Sequence, residues 1–182
     1  AIMKKILLYI ALSSLMFSCK IQGLTNDYDK LNETQKKILV DLVDFKDLKY
    51  ENIYKITGNQ LKQELANHPK SLVYIFKNGC SSKLCKPMRV YENYANENGY
   101  KLFLVMNGYA NLQETLDQPY SSILFSINND FYNSNYRNTY MQYFENEISG
   151  KPKEVKSKEY LGNLFFFEKD KLVQILHELP SK

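Results

Sequence analysis

The sequence has no tryptophan, only two histidines and three cysteines, and no basic stripe or arginine-rich run. Its formal charge of +4 includes Lys4 and Lys5 near the start, and without them the body carries +2. A chain so near neutrality has little attraction for phosphate, which argues against a nucleic-acid partner. The apolar run Ile6 to Phe17 falls short of the roughly 20 residues a membrane-spanning helix needs. A glycine-rich phosphate loop, a metal-ligand motif and a Gly-x-Ser-x-Gly elbow are all missing. So are internal repeats and low-complexity stretches. No metal and no cofactor is expected. No proline stands between Pro152 and Pro180.

Hydrophobic residues make up 44% of the 182, too many for a disordered chain. Tyrosine and phenylalanine supply all of the aromatic content. Beyond the first apolar run about 160 residues are left, enough for one domain with a real core and no dependence on several disulfides.

Lys4 and Lys5 make a short basic start, Ile6 to Phe17 an apolar segment, and Ser18 a small residue before Cys19. That order is the pattern of a cleaved secretion signal over residues 1–18, with Ala1 and Ile2 an extension upstream of Met3. The stretch Leu15 to Cys19 resembles a bacterial lipoprotein lipobox of the looser Bacteroidetes type, with Phe17 bulkier than the usual small residue. The resemblance implies acylation of Cys19, attachment to a membrane of the cell envelope through that lipid, and residues 19–30 as a polar tether. The plainer alternative is a signal peptide with an incidental cysteine. Lys20 to Asn26 lacks the acidic cluster of surface-exported relatives, which favours a periplasm-facing protein.

Within 31–182 the periodicity alternates. Thr34 is expected to cap a helix carrying Ile38, Leu39, Leu42 and Val43. A short strand follows over Tyr50 to Ile56, then a helix capped by Thr57 or Asn59, carrying Leu61 and Leu65 and ended by Pro69. Ser71 to Phe76 is nearly continuous in apolar residues, the mark of a strand covered on both faces. Pro87 to Asn98 is a helix with Val90, Tyr91, Tyr94 and Ala95 toward the core, stopped by Gly99. Lys101 to Met106 is a buried strand, Leu112 to Leu116 a short helix, Ser122 to Ile127 a strand, and Tyr136 to Ile148 a helix. Glu147 to Lys158 is a polar loop. Leu164 to Phe167 and Leu172 to Leu176 flank Glu168-Lys169-Asp170 as a β-hairpin. The expected class is therefore α/β, a mixed sheet sandwiched between helices and ending in a β-hairpin.

Cys80 and Cys85 follow directly on the strand that ends at Phe76 and precede a helix. Strand, cysteine turn, helix, strand Leu102 to Met106 and terminal hairpin together resemble the thioredoxin-like fold over roughly residues 50–178. The inserted strand and helix of Ser122 to Ile148 are similar to those of its membrane-anchored, cytochrome-maturation group. The resemblance implies a thiol–disulfide oxidoreductase, with Cys80 the attacking and Cys85 the resolving cysteine, and a protein dithiol or disulfide as partner. A sulfur at a helix N-terminus meets free N–H groups that favour thiolate, and Lys77, Lys83 and Lys86 add positive charge.

Two positions depart from the family pattern. Four residues separate the cysteines where the family has two. In a helix that spacing puts the Cα atoms roughly 8–9 Å apart, and a disulfide wants less than about 7 Å. A bond therefore requires a loop, with Pro87 starting the helix after Cys85. The family's cis-proline position falls at Gly162, followed by Asn163, and a non-proline peptide there is expected to be trans. A redox-silent binding module with an idle or structural cysteine pair stays open beside the oxidoreductase. The peroxiredoxin pattern is not met, since Val73 and Lys77 occupy its proline and hydroxyl positions. His68 or His177 joining the cysteines in a copper site has neither the spacing nor the placement of known chaperones. Tyr132, Tyr136, Tyr140 and Tyr143 recur at a spacing that suits a half-buried helix face better than a glycan platform. Glu92 and Glu97 suggest no paired-carboxylate site.

Overall fold

The structure, a computed structural model, describes residues 23–82, 84–156 and 162–180. The signal segment and Cys19 lie outside the described residues, as does Lys83. After a 3-10 turn at Tyr28–Lys30, the elements are α1 (Glu33–Lys37), β1 (Leu39–Asp41), β2 (Ile53–Ile56), α2 (Gly58–Leu65), β3 (Lys70–Phe76) and α3 (Met88–Asn98). They continue with β4 (Lys101–Met106), α4 (Leu112–Leu116), β5 (Leu124–Ile127), α5 (Arg137–Ile148), β6 (Leu164–Glu168) and β7 (Lys171–Leu176). The seven strands form one mixed sheet in the order β1-β2-β5-β4-β3-β6-β7.

Alternation along the strands divides the core into two layers. Val73, Ile75, Phe103, Val105, Phe165 and Phe167 point to the side covered by α2 and α5, where Leu61, Leu65, Phe144 and Ile148 meet them. Leu72, Tyr74, Phe76, Leu104, Met106 and Phe166 point to the other side, against Met88 and Tyr91 of α3 and Leu112 of α4. Because β3 is covered on both faces, its run reads as unbroken hydrophobicity rather than as alternation. The chain is thus an α/β protein with a mixed sheet between helices and a closing hairpin. β3 pairs in parallel with β4 and antiparallel with β6, an arrangement compatible with a thioredoxin-like layout.

Local signals place most boundaries. Thr57 caps α2, its side chain accepting from Gln60 N while the Gln60 side chain accepts from Thr57 N. Gly99 ends α3 in the left-handed region at φ 71°. Three expectations are corrected. Asn32, not Thr34, caps the first helix, which stops at Lys37, and Leu39–Asp41 is a strand. Its parallel ladder with Ile53–Lys55 decides the matter, since Ile38, Leu39, Leu42 and Val43 fit either period. Val90 faces solvent, whereas Tyr91 and Ala95 are buried as expected. Residues 23–30, expected as tether, pack on the body. Thr25 bridges to Tyr136, Arg137 N donates to Leu24 O, and Asp27 is 1% exposed against the Arg137 guanidinium.

Of the four tyrosines, Tyr132 and Tyr140 are buried, Tyr143 is half-buried, and Tyr136 is exposed at the start of α5. They are mainly core, with burial pushing the Tyr140 hydroxyl up to about 12. Among the described residues no helix is long and apolar enough to cross a membrane.

Candidate functional site

β3 is the switch point of the sheet, since the chain leaves its carboxyl end to build β4 on one side and returns later to build β6 on the other. Crevices at such ends are where α/β sheets place their ligands. The loop 77–87 starts there. Asn78, 1% exposed, donates through Nδ2 to Gly108 O (2.7 Å) and accepts from Thr115 Oγ1 (2.7 Å), so the loop is pinned to the α4 region. Gly79 sits at φ 63°, and a Cβ there would lie 2.7 Å from Asn111 Nδ2, so only glycine permits the close approach.

Past this anchor Cys80 and Cys85 form a disulfide with Cα atoms 6.0 Å apart. Ser82 brings the chain back, its carbonyl accepting from Cys85 N (3.0 Å) and its hydroxyl from Leu84 N (3.3 Å). The pair therefore lies on a loop before the helix, as its spacing requires. Both cysteines are half-buried. The helix begins at Met88, one position later than expected, with Pro87 at its cap rather than in its first turn. This corrects the electrostatic expectation for Cys80, which stands eight residues before the helix. Cys85 is the cysteine closer in the chain to the helix start, and the first helical N–H, from Met88, is taken by Gln118 Oε1 (3.1 Å). Lys77 and Lys86 are exposed beside the pair.

The disulfide lines a cavity of about 220 Å³ together with Asn107, Met141, Glu145, Asn163 and His177. These come from the end of β4, from α5 and from the mouth of the hairpin. Glu145 lies on a half-buried turn of α5, and burial pushes its carboxyl up to about 7. Among the described residues no donor reaches the buried Oδ1 atoms of Asn107 and Asn163. The cavity lining thus gathers a carboxyl that titrates near neutrality and two asparagines with unpaired, buried acceptors around the oxidised pair.

The edge at Gly162 and Asn163 is trans, and no peptide among the described residues is cis. Asn163 N donates to Leu176 O (3.0 Å), and Asn163 O accepts from Ile75 N (2.9 Å), so its backbone is engaged within the fold. Of the histidines, His177 lines the disulfide cavity and His68 sits with Nε2 2.8 Å from Glu64 Oε1. Among the described residues no cluster of three His, Cys, Asp or Glu side chains could hold a metal ion.

Sequence reasoning brought together Cys80, Cys85 and Asn163 but missed Glu145 and Asn107. Glu145 carried no signal, because a glutamate on an amphipathic helix ordinarily points to water. Asn107, the residue after the strand Lys101 to Met106, belonged to no motif. Compared with known proteins, the chain matches no family model, no curated protein and no solved structure.

Proposed function

We propose that the protein is a thiol–disulfide exchange protein of the bacterial envelope, periplasm-facing and held to the membrane by a lipid on Cys19. The observation that carries this reading is the half-buried Cys80–Cys85 disulfide at the switch point, sharing its cavity with a carboxyl that titrates near pH 7. In the reducing direction the Cys80 thiolate attacks a partner disulfide and releases one partner thiolate. The Cys85 thiol gives its proton to Glu145, and its sulfur then attacks Cys80. The Cys80–Cys85 bond forms, the second partner thiolate leaves, and two electrons have passed to the partner. Leu84, exposed beside Cys85, supplies a contact for the partner's chain.

Turnover of a small peptide disulfide under dithiothreitol tests this. Cys80→Ser is expected to lose at least about 100-fold in rate, as removal of a nucleophile does. In the same assay the wild-type rate should rise through pH 7 as Glu145 ionises and becomes able to accept a proton. Glu145→Gln should lose that inflection. Equal rates for Cys80→Ser and wild type would end the proposal. For the anchor, three residues separate Cys19 from Gly23, and the four steps between them reach at most roughly 14 Å, which holds the body close to the bilayer. Detergent-phase partitioning of the expressed protein should be lost in Cys19→Ala, and unchanged partitioning would refute the lipid.

A second reading is a redox-silent envelope binding module. It is favoured by the Asn163 peptide, whose N–H and C=O are both used within the fold rather than left open for an incoming strand. The Cys80→Ser assay separates the two readings.

A further inference from the structure

A second cavity, of about 300 Å³, opens at the opposite end of the β4–β5 ladder. β5 joins β4 only at Leu124, opposite Leu104, so Lys101–Phe103 have β3 on one side and this cavity on the other. Phe45, Phe103 and Phe125 line it with ring centroids 5.8 to 6.4 Å apart, and Tyr50 and Tyr100 line it as well.

Beside these rings, on a side of the cavity that Asn96, Ser121 and Ser122 make polar, α3 brings Glu92, 4% exposed. Its Oε1 accepts from Ser121 N (2.7 Å), Ser121 Oγ (3.1 Å) and Ser122 Oγ (2.6 Å). Burial pushes the carboxyl upward, but these hydrogen bonds outweigh it and hold the group below its ordinary value, so it is ionised at neutral pH. Among the described residues no donor reaches Oε2. A buried carboxylate oxygen without a donor is costly, by several times what an ordinary surface contact contributes. The other lining carboxylate, Glu64, is already met by His68 Nε2 (2.8 Å) and Asn67 Nδ2 (2.9 Å). Among the described residues Lys101 is the one lysine of the lining, and no hydrogen bond or ion pair joins it to Glu92, so one acceptor is left over, Glu92 Oε2.

We propose that this cavity binds a primary ammonium group carried on a short apolar chain, with Glu92 Oε2 as its counter-ion and the aromatic walls around the chain. A quaternary ammonium has no N–H to give to Oε2. A guanidinium presents a planar fork suited to two carboxylate oxygens, and Oε1 is already taken. A divalent cation needs more oxygen ligands than one, and among the described residues no metal-holding cluster exists. An ammonium fits a single strong acceptor, and aromatic faces add cation–π attraction. The same chemistry reaches the site from a free alkyl diamine or from a lysine side chain of another protein.

Calorimetric titration of the whole protein at low salt with 1,5-diaminopentane and with Nα-acetyl-lysine amide tests the proposal and separates the two sources. Saturable binding of the diamine alone assigns a free amine, binding of the lysine derivative alone a side chain, and binding of both the shared group. Pentanol and tetramethylammonium should bind at least tenfold more weakly. Glu92→Gln keeps the shape and the serine contacts but replaces Oε2 with a donor, and affinity should fall tenfold or more. Tyr50→Ala alters a residue that is 71% exposed, so folding is not at risk, and affinity should fall threefold or more. If neither amine binds, the proposal is overturned. It is overturned equally if folded Glu92→Gln binds as wild type does or, should that variant not fold, if Tyr50→Ala leaves affinity unchanged.

Discussion

Gly162→Ala is expected to destabilise the protein by about 4 kcal/mol or more, among the largest effects a single methyl group can have. Two causes act together at this position. The backbone holds φ 137°, a region closed to side chains, and a Cβ there would fall inside the van der Waals surface of the Leu176 carbonyl. That carbonyl accepts the Asn163 N–H, so it cannot retreat without breaking the mouth of the β6–β7 hairpin. Gly99→Ala provides the comparison. Gly99 also has positive φ, at 71°, but no atom lies within 4 Å of where its Cβ would be. Conformation alone should cost about 1 to 2 kcal/mol there. Urea denaturation of the two variants measures the difference, and equal losses would show that the Leu176 contact is not a constraint. A proline at 162 is ruled out for the same reason, since its ring fixes φ near −65°. The glycine edge is thus a built feature of this fold and not merely a lost proline.

That edge shows how far the sequence carries. The absence of a proline before the hairpin was visible in the residues, and so was a trans peptide. The left-handed glycine and its carbonyl neighbour were not, because they depend on where β7 passes. β3, β4 and the hairpin were legible almost to the residue, since burial on both faces or strict turn chemistry left one reading of each. Residues 38–43 were not, because their apolar spacing satisfies a helix and a strand equally, and pairing with β2 decides. The cysteine loop followed from polymer geometry, because spacing five apart excludes a regular helix across a disulfide. The carboxyls beside the two cavities were hidden for a common reason. Glu92 and Glu145 sit on helices whose sequence pattern marks them as surface, and only the approach of Ser121, or of the hairpin mouth, turns them inward.

Asp27 and Arg137 were the least visible of all, because 110 positions separate them and neither lies in a motif. Their pairing yields the second large expectation. Asp27 is 1% and Arg137 6% exposed, with Arg137 Nη2 3.0 Å from Asp27 Oδ2. Gly23 N and Lys30 Nζ complete the carboxylate's partners. Gly108 leaves room for the guanidinium, since a Cβ there would lie 2.5 Å from Nη2. Arg137→Met keeps most of the apolar stem but leaves the buried carboxylate with Lys30 Nζ and Gly23 N alone, and should cost about 3 kcal/mol. Asp27→Asn in the same background removes the under-compensated charge. The double variant is therefore expected to be more stable than the sum of the singles predicts, by about 1 to 3 kcal/mol. Because the pair is buried, the loss should change little between low and high salt, unlike that of a surface ion pair. The consequence reaches the disulfide cavity through α5, where Tyr140, one turn beyond Arg137, donates its hydroxyl to Asn107 O. If the Arg137→Met loss is under about 1 kcal/mol, or is erased by salt, residues 23–31 are held by their backbone contacts and the ion pair does not fasten α5.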